Sequence, residues 1–94
     1  MQRFLTGDAE AELYRALLSL KTEEEAEALL HDLCTPAEIK AMAQRLQIAR
    51  ALFNGETYDT IRASQAVSSA TIARINAELQ YGNGGYKTVL ERMK

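Results

Sequence analysis

The sequence is poor in the residues that form disulfides, hold metals or interrupt helices. Its 94 residues include one cysteine, one histidine and one proline. A lone cysteine cannot form a disulfide within the chain, and the Cys and His have no partners at metal-ligand spacing. No apolar run is long enough to cross a bilayer, and the first residues lack the apolar stretch of a signal peptide. We therefore expect a cytoplasmic protein without a membrane segment.

Features that would suit catalysis are also lacking. The single histidine, His31, lies beside Leu30 and Asp32 on a predicted helix, where a structural role is the simpler interpretation. No carboxylate pair has neighbours suited to acid–base work. The glycines of segment 82–85 follow a helix and lack the pattern of a phosphate-binding loop, so they indicate a hinge. The sequence predicts no enzyme and no cofactor.

Charge is divided unevenly along the chain, although the net charge is only −2. Residues 1–34 hold eight acidic and three basic residues, a net charge of −5, and residues 35–94 hold five acidic and eight basic residues, a net charge of +3. A protein of this kind can still present one positive face to phosphates. The charge is weak for a nucleic-acid binder, and a dimer would double the number of contacts.

Cap residues and apolar periodicity predict six helices. β-Branched residues do not alternate with polar residues over any useful length, which favours an all-α fold without strands. The first helix is predicted from an N-cap at Asp8 to about Leu20, and the second begins after a cap at Thr22. A final helix is predicted after the segment 82–85.

The start of the third helix is the clearest local signal. Thr35 is placed to cap it, Pro36 occupies the first helical position and Glu38 completes a capping box. Apolar residues follow at helical spacing to Phe53. The helix is predicted to end at Gly55, which can adopt the left-handed conformation.

Residues 57–80 have the pattern of a helix-turn-helix. Two short helices, capped by Thr57 and Ser68, would share a small core formed by Ile61, Val67, Ile72 and Ile75. The opposite surface carries short hydroxyl side chains and two arginines that can contact phosphates and base edges. The predicted DNA-binding residues are Arg62, Ser68, Ser69, Thr71 and Arg74. Paired short helices also occur in helical proteins that do not bind DNA, so that alternative stays open at this point.

The chain resembles the Trp repressor superfamily, specifically its YerC/YecD-like branch. The resemblance rests on Thr35-Pro36-Ala37-Glu38, on Arg45 and Ile48, on Gly55-Glu56 and on Ala70-Thr71-Ile72-Ala73-Arg74. It implies a six-helix, intertwined homodimer in which the chain is one domain. Helices one to three, at about 8–53, would form the dimer core, 57–80 the helix-turn-helix and 81–94 the C-terminal helix. The implied function is a repressor of transcription on a near-palindromic operator in double-stranded DNA.

The resemblance also implies an effector pocket. Thr35, Arg45 and Arg74 correspond to positions around the tryptophan site of the Trp repressor, but Ile75 replaces a glycine that leaves room for the indole ring. Inserting a large ring against this branched side chain would cost about 1–3 kcal/mol or more by overpacking, so we predict that tryptophan does not bind. Another small effector stays open. Asp59 stands where the Trp repressor has a base that faces DNA, which puts one phosphate contact in doubt.

A second hypothesis is a dimeric protein-interaction module that does not bind DNA. Its acidic segment Glu23-Glu24-Glu25, followed by Glu27, could meet a basic partner. The simpler interpretation of this segment is a solvated helix start, because acidic residues are favourable near a helix N-terminus.

Overall fold

The computed structural model describes residues 7–94, which fold into six α-helices with no strand in that range. They are α1 (Gly7–Leu18), α2 (Glu23–Leu33), α3 (Pro36–Phe53), α4 (Tyr58–Ser64), α5 (Ser69–Tyr81) and α6 (Gly85–Arg92). The predicted all-α, six-helix fold is confirmed. Each helix in residues 7–94 is too short or too polar to span a bilayer.

The chain divides into two compact units, one up to Ile39 and one from Lys40 to Lys94. The first contains α1, α2 and the start of α3, and the second contains the rest of α3 with α4, α5 and α6. The domain boundaries suggested by the resemblance, at 8–53, 57–80 and 81–94, stay a prediction.

In the first unit, side-chain caps start two helices. The Thr22 hydroxyl accepts a hydrogen bond from the Glu25 amide at 3.1 Å. At α3 the bonding is reciprocal, because the Thr35 hydroxyl accepts from the Glu38 amide at 3.2 Å and the Glu38 carboxylate accepts from the Thr35 amide at 2.7 Å. These hydrogen bonds with the backbone amide and the hydroxyl of Thr35 lower the pKa of Glu38 below its ordinary value of 4.5. The predicted capping box of α3 is confirmed.

The first helix differs from its predicted bounds. Asp8 lies within the first turn of α1 and is not its N-cap, so that prediction was wrong. The helix also ends at Leu18 rather than near Leu20. The Ser19 hydroxyl donates to the Ala16 carbonyl at 2.7 Å. Since such side-chain bonds compete with helical bonding, the serine gives a local reason for the earlier end.

Neither α1 nor α2 contains a buried side chain. The apolar side chains on these helices leave much of their surface open: Leu13 is 41%, Leu17 40%, Leu18 83% and Leu33 56% exposed. Helices of twelve and eleven residues are marginal by themselves in water. Within residues 7–39, much of the apolar surface of the first unit is therefore left uncovered.

The second unit contains the buried core. Its fully buried or nearly fully buried residues are Ile48, Ala49, Ile61, Ile72, Ile75, Leu79 and Leu90. Helix α5 packs against both α4 and α6 and supplies three of them. Val67 is half-buried and packs against this cluster, so the small core predicted for residues 57–80 is confirmed.

The end of α3 is a Schellman motif. The Glu56 amide donates to the Ala51 carbonyl and the Gly55 amide to the Leu52 carbonyl, each at 3.0 Å. Gly55 has φ 87°, in the left-handed region where a side chain is strained. The predicted helix end is confirmed, and it places the entry to α4 immediately after α3.

Candidate nucleic-acid interface

The helix-turn-helix consists of α4, α5 and the turn 65–68 between them. The Thr57 hydroxyl accepts from the Thr60 amide and the Ser68 hydroxyl from the Thr71 amide, both at 3.2 Å. Both predicted caps are confirmed. Because each cap is a contact over three residues, local sequence is enough to define where the two helices begin.

The predicted DNA-binding residues lie on the solvent side of these helices. Arg62, Ser68, Ser69 and Arg74 are exposed, and Thr71 is half-buried. The Thr71 hydroxyl lies 3.1 Å from the Ser68 hydroxyl, so both belong to the cap of α5. The buried isoleucines of α4 and α5 occupy the opposite side of the same helices. A core on one face and polar donors on the other leave this surface open to a ligand.

Arg74 is the exposed cation of α5. Within residues 7–94 it forms no ion pair and no side-chain hydrogen bond. Its five N–H donors are therefore available for a phosphate or for the two acceptors of a guanine edge.

Arg62, in contrast to Arg74, makes two side-chain contacts. Its guanidinium donates through Nη1 to the Ser69 hydroxyl at 2.5 Å and through Nη2 to the Asp59 carboxylate. The side chain thus connects the end of α4 to the start of α5. Sequence reasoning missed this arrangement, although the spacing of three residues between Asp59 and Arg62 is a known signal for a pair on a helix. The bond to Ser69 has no such local signal.

The structure brings three of the four predicted effector residues to one cavity. Arg45, Arg74 and Ile75 line a space of about 280 Å³ together with Glu78 and Tyr86. Ile75 is 1% exposed and belongs to the core. Its side chain therefore takes up room beside the two arginines.

Thr35, the fourth predicted effector residue, lies in the first unit, where its hydroxyl and amide both serve the cap of α3. Glu78 and Tyr86 were not predicted as lining residues of the cavity. They approach it from α5 and α6, which the sequence does not show to be neighbours at this point.

A more apolar cavity of about 530 Å³ lies near the junction of α5 and α6. Its lining includes Leu46, Glu78, Gly82, Tyr86 and Val89. A Cβ atom on Gly82 would lie 2.4 Å from the Glu78 carbonyl oxygen, so a side chain cannot be accommodated there without a backbone shift. The position therefore requires glycine, and the hinge predicted for segment 82–85 stays a prediction.

Comparison with known proteins identifies the family. The model of the Trp repressor protein family matches residues 10–94. The uncharacterized protein YerC of Bacillus subtilis strain 168 is 43% identical over 90 residues, which cover 96% of this chain and 86% of YerC.

Two solved structures agree with this result. One is the crystal structure of a protein from Staphylococcus aureus proposed to be a Trp repressor, 44% identical with a TM-score of 0.86 over 99% of this chain and 94% of that one. The other is a TrpR-like protein from Eubacterium eligens ATCC 27750, 40% identical with a TM-score of 0.86 over 99% and 95% of the two chains. With α4 and α5 arranged as a helix-turn-helix and the family model matching nearly the whole length, the chain belongs to the Trp repressor family.

Proposed function

We propose that this protein is a sequence-specific DNA-binding regulator, a repressor of transcription that acts as a homodimer. The observation that carries the proposal is the exposed surface of α4 and α5, where Arg62, Ser69 and Arg74 lie opposite the buried isoleucines. In a helix-turn-helix the second helix enters the major groove, so Arg74 on α5 is the base or phosphate contact and Arg62 on α4 a phosphate contact. Such a protein would work where the chromosome is, in the predicted cytoplasm.

The exposed apolar side chains of the first unit support the homodimer. Leu18 and Leu33 would be costly to leave in water, and α1 and α2 bury no side chain within one chain. A second copy could cover these surfaces and would also place two recognition helices on one near-palindromic operator, about 34–36 Å apart. Sedimentation at micromolar concentration is expected to give twice the 10.5 kDa mass of one chain.

The proposed regulator does not respond to tryptophan. Ile75 is buried beside Arg45 and Arg74, and an indole ring would have to displace it. Glu78 adds a carboxylate to the lining, which disfavours the carboxylate of a free amino acid. Calorimetry with millimolar tryptophan is expected to show no heat of binding, and micromolar affinity would contradict this part of the proposal.

The DNA-binding proposal can be tested by selection from duplexes of random sequence. The purified protein would retain the fragments that it binds, and the selected sequence would then be titrated with the wild type, Arg74→Ala, Arg62→Ala and the control Arg92→Ala. Arg92 is an exposed arginine outside the helix-turn-helix. We expect Arg74→Ala to cost about 1–3 kcal/mol and to relax the preference at one position, whereas Arg92→Ala binds as the wild type does. Equal affinities for all four proteins would reject the assigned interface.

The alternative, a protein-interaction module, is favoured by one observation. Glu23, Glu24, Glu25 and Glu27 are all exposed on α2, the helix that also carries the exposed side chain of Leu33. A protein partner retained at high salt, together with no DNA retained at low salt, would support this function instead.

A further inference from the structure

Asp59 and Arg62 form a contact that bears directly on how the interface meets DNA. The Asp59 carboxylate accepts from Nη2 of Arg62, while Nη1 of the same guanidinium donates to the Ser69 hydroxyl. The two contacts use both terminal nitrogens of Arg62. The three residues, which we call the Asp59–Arg62–Ser69 bridge, therefore span from α4 to the first residue of α5.

The bridge places an anion where a phosphate would bind. A carboxylate and a phosphate both present oxygens to a guanidinium through charge-assisted hydrogen bonds. The Asp59 side chain is 86% exposed and that of Arg62 is 44% exposed, so a phosphate in solution can approach both. A phosphate that accepts a hydrogen bond from Nη2 of Arg62 must displace the Asp59 carboxylate or lie next to its negative charge.

The charges of the helix-turn-helix make this competition important. Residues 57–81 contain two acidic residues, Asp59 and Glu78, and two basic residues, Arg62 and Arg74, so their formal charges cancel. Sequence-independent affinity for DNA depends on the number of phosphates that cations neutralise. With so few cations, pairing one of them inside the protein removes a large fraction of the available contacts.

Stabilisation of α4 does not account for the bridge. An exposed ion pair at this spacing contributes little to folding, and α4 already has its Thr57 cap. The contact to Ser69 leads away from α4 to the recognition helix. The bridge thus positions Arg62 at the start of α5 and pairs its charge with that of Asp59.

We propose that Asp59 is a built-in competitor for the DNA phosphate at Arg62 and limits the affinity of the protein for DNA of arbitrary sequence. The inference rests on the proposed function. The Ser69 hydroxyl keeps the Arg62 guanidinium at the interface. The Asp59 carboxylate stays bound to this guanidinium until a well-placed DNA phosphate displaces it. Binding then depends more on correct docking over the whole interface than on attraction by a free cation.

The test uses a random-sequence duplex as the probe, titrated by fluorescence anisotropy over a series of salt concentrations. Asp59→Asn keeps the shape of the side chain and removes its charge, and Asp59→Ala serves as a second variant. Glu56→Gln is the matched control, because Glu56 is exposed, lies three residues away and forms no side-chain bond within residues 7–94. Thermal unfolding followed by circular dichroism establishes that each variant is folded.

We expect the Asp59 variants to bind about two- to fivefold more tightly per subunit at low salt, and the salt dependence to steepen by up to about one phosphate per subunit. Glu56→Gln should gain clearly less. In a protein that already carries Arg62→Gln, the gain in DNA affinity from Asp59→Asn should disappear, because Asp59 then has no guanidinium to pair with.

Different results would separate this inference from the proposed function. If the wild type fails to bind duplex DNA at low salt, the proposed function fails and this inference with it. If the wild type binds but Asp59→Asn gains no more than Glu56→Gln, only the inference is overturned. A gain that persists without Arg62 would also overturn it, because the effect would then be general electrostatics.

Discussion

Replacement of Ile75 by alanine tests the link between the core and the cavity beside Arg45 and Arg74. The substitution removes three carbon atoms from a side chain that is 1% exposed. At about 0.8 kcal/mol for each buried methylene, the lost transfer free energy is about 2.4 kcal/mol, and the cavity left behind brings the total into the range of about 2–5 kcal/mol. A small domain has a total stability of about 5–15 kcal/mol. Ile75→Ala should therefore be strongly destabilised but still folded at low temperature.

The same substitution joins new space to the cavity of about 280 Å³. If Ile75 is what excludes the indole ring, Ile75→Ala should gain affinity for tryptophan that the wild type lacks. At a ligand concentration ten times the dissociation constant, binding would return about 1.4 kcal/mol of stability. Ile72→Ala is the matched control, because Ile72 is equally buried but does not line this cavity.

Thermal unfolding at constant protein concentration, with and without tryptophan, measures both effects. We expect both alanine variants to melt well below the wild type, and only Ile75→Ala to be restored in part by tryptophan. Stabilisation of the wild type by tryptophan would refute the idea that Ile75 fills the site. A loss of less than about 1 kcal/mol in Ile75→Ala would refute its assignment to a tightly packed core.

Three further outcomes are expected. Ser68→Ala removes the cap of α5 and should lower the free energy of unfolding by about 1 kcal/mol in urea titrations, whereas Ser68→Asn should not. Gly55→Ala forces a side chain into φ 87° and should destabilise by about 1 kcal/mol in the same assay, in contrast to Gly7→Ala, where no strain is present. The pKa of Glu38 is lowered in the folded state, so its stabilising effect is present above its ordinary value of 4.5 and is lost as the pH falls through the lower folded value. The loss of stability in acid should therefore be shallower in Glu38→Gln than in the wild type, and parallel pH curves would contradict this.

Much of the fold could be predicted because its signals are local. The caps at Thr22, Thr35, Thr57 and Ser68 are bonds to residues three positions away. Gly55 ends α3 through bonds within five residues. The prediction failed at Asp8, where the same kind of residue lies inside the helix. A residue suited to capping does not by itself determine where a helix begins.

The candidate interface was predicted less completely. The pattern of α4 and α5 indicated which side chains would be exposed, because the apolar residues of an amphipathic helix define its other face. It did not indicate that Arg62 would reach Ser69 or that Glu78 and Tyr86 would share a cavity with Arg45. These pairs lie on different helices, and their proximity depends on how the helices cross.

By itself, the sequence determined the class of fold, the bounds of most helices and the polar face of the helix-turn-helix. Each of these depends on contacts between residues within about one or two turns. Only the tertiary structure decided that Arg74 has no side-chain partner among residues 7–94 while Arg62 pairs with Asp59, and that Ile75 is buried beside two arginines. The reason is physical: helix formation is governed by neighbours along the chain, whereas the state of a charged side chain depends on whichever group packing brings within hydrogen-bond distance.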